Sequence, residues 1–459
     1  MQPIFDIELI RRYDKAGPRY TSYPTAVQFH EGFQEPEYGY HAAHSNAQPL
    51  KPLSLYVHIP FCDTVCFYCA CNKIATKDHR LAETYLTHLY QEINLQSQLF
   101  NPERRVTQLH WGGGTPTFLT HAEMQTLMQQ LKHHFQLLDD DSGEYSIEID
   151  PREASIETIA LLRELGFNRM SLGVQDFNPQ VQKAVNRIQS EAETFEILTA
   201  ARQQGFKSIS IDLIYGLPKQ TVADFGHTLE KIVAVKPERI SVFNYAHLPT
   251  LFKPQRRINE AELPSAQEKL AILQHSINYL TDSGYVYIGM DHFALPEDEL
   301  AIAQRNHSLY RNFQGYSTQA RCDLIGLGTT SIGKVGDSYS QNVKTLEDYY
   351  QRIAQERLPI FRGVSLTFDD KVRRAVITEL MCHFILEVES IEQEYNINFK
   401  DYFLIEWQAL APLEADGLLV RHEQRIEVLA AGRLLVRHIA MIFDRYLRES
   451  QQQRFSKVI

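Results

Sequence analysis

Four cysteines crowd into ten positions of this chain, Cys62, Cys66, Cys69 and Cys71, and two more lie far away at Cys322 and Cys382. Six cysteines in 459 residues do not make a disulfide scaffold. The crowding instead predicts metal or redox chemistry in a reducing cytoplasm. Soft sulfur ligands favour iron–sulfur, zinc or copper over magnesium and calcium. Structural zinc sites use cysteine pairs spaced by two to four residues with a second pair farther away, and no second pair follows here. Cys69-Ala70-Cys71 is also poorly spaced to reach two corners of one tetrahedron. Three cysteines this close are an unusual choice for simple core packing. Three thiolates on a four-iron cluster would leave one iron open for a substrate or cofactor, which is the preferred reading of Cys62, Cys66 and Cys69.

Other residues share that neighbourhood in the sequence. The loop follows an apolar stretch ending His58-Ile59-Pro60-Phe61, which places it at the carboxyl end of a first strand, where parallel α/β folds collect their sites. Gly112-Gly113-Gly114-Thr115 follows the second predicted strand, and glycines there let backbone amides approach a ligand closely, although a plain strand-to-helix turn would look alike. Glu148 ends the third, where a carboxylate could take an amino group or a ribose hydroxyl, or merely cap a helix. His58 is read equally well as core packing and as a group tuning the redox site.

These residues need a frame. Predicted strands are Leu53–Ile59, Val106–Trp111, Tyr145–Ile149, Arg169–Val174, Ser208–Ile214 and Ile240–Tyr245, with helical patterns near 80–98, 121–135, 155–165, 191–204 and 222–235. Strands separated by helices, without strict alternation, predict a parallel sheet, doubly wound or a full or partial barrel. Periodicity does not choose between these. A further helix is expected over 262–285, a strand over Tyr285–Met290, and a Gly-rich stretch over Gly326–Gly333. Beyond residue 360, helices at Thr367–Phe384 and Asn398–Ala409, a hairpin at Asp416–Val420 and Arg425–Val428, and a final helix at Ala430–Arg448 suggest a winged-helix-like domain. The first 50 residues read as an irregular arm, whose Arg11, Arg12, Lys15, Arg19, Tyr20 and Tyr23 make it an anion-contacting lid. Three segments result: an arm over 1–50 contributing to a substrate cavity, a catalytic domain over 51–355 and a helical cap over 356–459.

The length sets a soft expectation of about two to four compact units. With 46 Lys and Arg against 57 Asp and Glu, the net charge is −11, so nothing draws the whole chain to nucleic acid or anionic membrane. No run approaches the roughly 20 apolar residues that span a bilayer, and the first residues lack the pattern of a secretory signal.

Cys-x3-Cys-x2-Cys after the first strand of an α/β domain resembles the radical S-adenosylmethionine (SAM) superfamily. The fuller set is similar to the oxygen-independent coproporphyrinogen III oxidases: Gly17–Thr25, His58–Lys73, His110–Thr117, Ser146–Arg152, Gly173–Phe177, Asp212–Pro218, Asn244–Pro249 and the terminal Phe455–Ile459. That resemblance implies an α/β fold, a radical-SAM partial (β/α)6 barrel with an N-terminal arm and a mainly helical C-terminal domain. It implies one [4Fe-4S] cluster on Cys62, Cys66 and Cys69, with Cys71 not a ligand, and two molecules of SAM. Tyr56, Gly113, Gly114 and Thr115 match positions that line the SAM sites, and Glu148 matches the residue on the cluster-bound SAM. Gln175, Arg187 and Asp212 match a second SAM site, with Ala246 and Ile332 completing apolar walls. Arg187 supplies a guanidinium fork for a carboxylate and Asp212 an acceptor, although both could form ordinary salt bridges. Tyr68 offers an aromatic face to adenine.

The implied reaction is oxidative decarboxylation of two propionates of coproporphyrinogen III to vinyl groups, giving protoporphyrinogen IX. It requires a flavodoxin or ferredoxin-type electron donor, in a cytoplasmic monomer. Substrate carboxylates would need local positive groups such as Arg19 or Lys15. Two rivals remain: a haem-trafficking relative, against which the arm and Cys71 count, and a winged-helix redox regulator, against which the missing basic footprint counts.

Overall fold

The computed structural model describes residues 2–13, 15–47 and 50–449. The Phe455–Ile459 motif lies outside them. The chain forms two compact units. One joins the described residues up to Gln28 with Ile277–Ala320 and those from Leu366 on; the other comprises Phe29–Ser276 and Arg321–Ser365. These divisions differ from the three consecutive segments expected from sequence, because the arm is split at Gln28 and the stretch 277–320 joins the C-terminal region.

The larger unit is built on Leu53–Ile59 (β1), Arg105–Gly113 (β2), Glu144–Ile149 (β3), Arg169–Gln175 (β4), Ser208–Tyr215 (β5) and Arg239–Asn244 (β6). Each pairs in parallel with the next in sequence. A doubly wound sheet reverses its strand order about a switch point, whereas this one runs in a single direction, the winding of a barrel. On the other side β1 pairs in parallel with Asp323–Leu327 (β7), and the sheet continues antiparallel through Ile332–Val335 (β8), Ser338–Asn342 (β9) and Ile360–Ser365 (β10). The ladder is a partial barrel.

As the sequence reading expected, β1, β2 and β6 show no strict alternation of burial, while β3, β4 and β5 alternate buried with half-buried residues over most of their length. Val57, Trp111, Ile147, Met170 and Ile209 are register neighbours on one face, buried at 0–2 % exposure. Trp111 meets Phe167, just beyond the helix Ile156–Leu165, edge-on with ring centroids 4.9 Å apart. Each such side chain contributes about 1.5–3 kcal/mol of burial. The opposite face carries Tyr56, His110 and Ser146 in one register row, and Gly173, Asp212 and Ser241 in another. Hydrogen bonds knit that polar face: Ser54 Oγ donates to Gln108 Oε1 at 2.7 Å, and Gln108 Nε2 to Glu144 Oε1 at 3.0 Å. The sheet therefore separates a helix-packed face from a polar one.

The intervening helices begin where caps demand. Thr120, Ser155, Ser190 and Thr221 accept from backbone N–H groups of the first turns. Gly166, at φ 106°, closes Ile156–Leu165 in the left-handed region. The arm is not wholly irregular, since Ile7–Tyr13 and Glu35–Asn46 are helical. Within the smaller unit, a helix at Phe368–His383 precedes a three-stranded antiparallel sheet, Ile385–Glu387, Leu419–Arg421 and Arg425–Val428. The expected final helix is broken into Val436–Met441 and Arg445–Glu449. The cause is Asp444, whose carboxylate accepts from Tyr446 N at 3.0 Å and Leu447 N at 3.3 Å and so caps a new helix. Among the described residues, no helix is long and apolar enough to cross a membrane.

Candidate active site

The cysteine loop is pinched at its base. Phe61–Cys62 pairs in parallel with Ile74–Ala75, and Thr76 N donates to Cys62 O at 2.9 Å. Its middle is fastened by Phe67 N to Val185 O at 2.9 Å and by Asn186 Nδ2 to Val65 O at 2.8 Å. Cys62 and Cys66 are buried, Cys69 half-buried and Cys71 exposed. Thr115 Oγ1 donates to Cys62 Sγ at 3.6 Å, while Arg187 Nη1 and Arg152 Nη2 approach Cys66 Sγ at 3.6 and 3.7 Å. Burial pushes the Cys62 thiol up to about 12. Cys69 is held down to about 5 by a hydrogen bond from Cys71, with the Lys73 ammonium adding to it, and Cys71 is pushed up in turn. Among the described residues, no three His, Cys, Asp or Glu side chains surround a single-ion position. Three soft sulfurs in one loop, two of them facing hydroxyl or guanidinium donors, are a donor set that fits an iron–sulfur cluster.

Next to the loop stands a second group. Glu148 takes Gly113 N at 3.2 Å and His110 Nε2 at 3.3 Å, and His110 Nδ1 meets Ser146 Oγ at 2.6 Å. Desolvation opposes ionisation of Glu148, yet these partners hold its carboxyl below the ordinary range. Tyr56 stacks on His110 with centroids 5.8 Å apart, and its hydroxyl lies 3.1 Å from His58 Nδ1. His58 Nε2 faces the Asn72 carbonyl at 3.2 Å. A carbonyl only accepts, so His58 carries its proton on Nε2 and accepts at Nδ1 from Tyr56. Burial holds this imidazole in its neutral form.

The glycines are dictated by this crowding. Gly113 sits at φ 119°, and a Cβ there would stand 2.6 Å from the His58 ring. One on Gly114 would stand 2.5 Å from the Phe61 carbonyl oxygen. Thr115 N donates to that same carbonyl at 2.7 Å, which brings the glycine turn onto the base of the cysteine loop.

A third group centres on Arg187. It binds Asp150 Oδ2 through Nη1 at 2.8 Å and the Gly173 carbonyl through Nη2. Burial works against its charge, but Tyr68, Asp150 and Cys66 favour it and raise its pKa. Gln175 follows a bulge in β4 at φ 69°, with Nε2 2.8 Å from where a Gly173 Cβ would be. Asp212, the register partner of Gly173, accepts from Ser171 Oγ at 2.7 Å, and burial raises its carboxyl to about 6. Tyr68 and Ala246 are joined through their carbonyls, which accept from Gln255 Nε2 at 3.0 and 3.2 Å. Ile332 opens β8; its backbone packs on Gly326, the register partner of Tyr56.

Sequence reasoning gave roles to Gln175, Arg187 and Asp212, whereas Asp150, Arg152, His110 and Asn72 stood only inside matched motifs without a role and Gln255 was passed over, although these hold them and their neighbours. It also passed over Glu92, which is fully buried and accepts from Gly328 N at 2.7 Å, Asn342 Nδ2 at 2.8 Å and Tyr349 OH at 2.5 Å. Glu92 clamps the Gly-rich turn between β7 and β8, and burial raises its carboxyl to about 7. The available signal was an acid on the buried face of Arg80–Ser97.

Residues 56–232 match the radical SAM superfamily model, and 366–435 match the HemN C-terminal domain. Across 455 residues, 99% of both chains, this protein is 55% identical to the oxygen-independent coproporphyrinogen III oxidase of Pseudomonas aeruginosa. It is 52% identical to that of Escherichia coli over 456 residues, 99% of this chain and 98% of the relative. A solved structure of the Escherichia coli coproporphyrinogen III oxidase superposes with a TM-score of 0.92 at 50% identity, covering 97% of this chain and all of that one.

Proposed function

This chain belongs to the oxygen-independent coproporphyrinogen III oxidase family of the radical SAM superfamily, and from that premise we propose how its residues divide the work. The reaction decarboxylates two propionates of coproporphyrinogen III to vinyl groups, giving protoporphyrinogen IX and CO2. Family membership carries with it an iron–sulfur cluster and SAM. Cys62, Cys66 and Cys69 hold the [4Fe-4S] cluster, and Cys71 stays outside the ligand set. When bound, the cluster and SAM supply the 5′-deoxyadenosyl radical that takes hydrogen from a propionate.

The chain's own residues bind, orient and exclude. Glu148, kept ionised by His110 and Gly113, receives an ammonium group. Tyr56, Gly114 and Thr115 shape the wall beside it, and Tyr68 gives adenine a face. Gln175, Arg187 and Asp212, with Ala246 and Ile332, form a second SAM site. Neutral His58 fixes the Tyr56 hydroxyl and takes no proton. A flavodoxin or ferredoxin-type reductant delivers electrons to a cytoplasmic monomer.

The observation carrying this reading is the meeting, at one sheet edge, of the three-thiol loop with the Glu148–Gly113 pair, through Thr115 on Cys62 and Phe61. Anaerobic reconstitution with iron, sulfide, SAM, reductant and coproporphyrinogen III tests it. Protoporphyrinogen and CO2 are expected. Stable haem capture without decarboxylation would return the haem-trafficking reading.

A further inference from the structure

In the smaller unit, three separate stretches of chain bring guanidinium groups together around Asp291. Arg19 comes from the arm, Arg311 from the strand Tyr310–Asn312 and Arg437 from the helix Val436–Met441. Arg437 donates through Nε to Pro18 O at 3.0 Å and through Nη2 to Gly17 O, while Arg311 Nε donates to Arg19 O at 3.4 Å. Three successive arm carbonyls are thus held by two buried arginines, 6 % and 2 % exposed. This grip presents the Arg19 side chain to Asp291, with which it pairs. Arg19 is the open edge of the cluster, its side chain 38 % exposed against 14 % for Asp291.

The innermost member is incompletely satisfied. Arg311 lies over the ring of its cross-strand partner Tyr316, 4.7 Å from the centroid, yet its Nη1 is sealed from solvent and makes no hydrogen bond. A buried guanidinium nitrogen without an acceptor is costly and calls for a missing partner. The neighbours specify what that partner would be. Arg437 is held down to about 10 by burial and by the like charges of Arg19 and Arg311, which Asp291 does not offset.

We propose that Arg19, Arg311 and Arg437 form an exchangeable carboxylate site, in which Asp291 is the resting occupant and a propionate of the porphyrinogen replaces it on Arg19 and reaches Nη1 of Arg311. This deepens the functional reading above and rests on it. A planar fork that bonds both carboxylate oxygens makes arginine, rather than lysine, the fitting residue. The proposal involves no bond making or breaking. One carboxylate is exchanged for another.

The test uses the full chain and the stable porphyrin coproporphyrin III, with binding followed by fluorescence and compared with its tetramethyl ester and with SAM. Arg311→Gln is expected to weaken coproporphyrin III by about tenfold or more, leaving the ester and SAM unchanged, and Arg311→Lys to recover part of the loss. Asp291→Asn removes the competing carboxylate and is expected to tighten binding, the opposite of what loss of a merely structural pair would do. Unchanged coproporphyrin III affinity in Arg311→Gln, equal loss for the ester, loss of SAM instead, or weaker binding in Asp291→Asn would each overturn the site. Should Arg311→Gln fail to fold, Asp291→Asn alone decides. If the unaltered protein turns over coproporphyrinogen III while these variants bind normally, the carboxylate site falls and the oxidase reading stands. If it performs no decarboxylation, that reading falls first.

Discussion

Arg187 and Asp150 form a buried ion pair, 2.8 Å from Nη1 to Oδ2, with side chains only 7 % and 8 % exposed. The same guanidinium nitrogen stands 3.6 Å from Cys66 Sγ. The pair thereby ties the end of β3 to the cysteine loop, and Arg152 supports it from the other side at 2.6 Å. Breaking one partner leaves an uncompensated buried charge. Asp150→Leu and Arg187→Met should each lose about 3–5 kcal/mol in urea unfolding, with the double variant recovering part of it. Additive losses would show that the two side chains do not act as a pair.

Gly113 permits what no other residue can at its place. Gly113→Ala places a methyl against the His58 ring at a φ of 119°, costing about 1–3 kcal/mol. Thermal unfolding should register that loss, and SAM cleavage should fall with it, because the Gly113 N–H no longer meets Glu148. Unaltered melting and cleavage would contradict the account of the turn.

The thiols should separate by role. Cys62→Ser, Cys66→Ser and Cys69→Ser each lose iron and acid-labile sulfide on anaerobic reconstitution, while Cys71→Ser retains both. Iron analysis with the reduced-cluster resonance reads this out. A Cys71→Ser protein without cluster, beside a Cys69→Ser protein with one, would reverse the assignment.

Asp212 predicts a pH signature. Its carboxyl is raised from 3.8 to about 6 in the folded chain, so the folded state holds the proton longer than the unfolded state does. The site's effect is neutral below about pH 4, lowers stability as pH climbs to about 6, and is constant above that. The full penalty is at most roughly 3 kcal/mol. Asp212→Asn should therefore gain stability relative to the parent chain between pH 4 and 6, measured as the difference in urea midpoints. A pH-independent difference would mean that Asp212 is ordinary.

Much of this arrangement could be read before any coordinates. The six parallel strands fall within two residues of their expected limits at either end, since the apolar runs and the capping Thr, Ser and Gly that bound them are local signals. The cysteine spacing was equally local. Other features escaped. The alternation of β3 to β5 escaped, because the Ser146, Glu148, Ser171, Gly173 and Asp212 positions on their second face are half-buried and do not form a solvent face. The final helix was expected as continuous because Asp444 was not seen as a cap, a role in which its carboxylate also accepts from Tyr20 OH at 2.9 Å.

By itself the sequence determined the elements, the thiol loop and the family, because hydrogen-bond capping, strand periodicity and ligand spacing act over a few residues. Only the tertiary structure decided which buried charges meet. Asp150 and Arg187 lie 37 positions apart, Glu92 and Gly328 236 apart, and Arg19 and Asp291 272 apart. A buried charge is stable beside whichever partner packing brings within hydrogen-bond reach, and that choice depends on the winding of the whole sheet and the path of the chain around it.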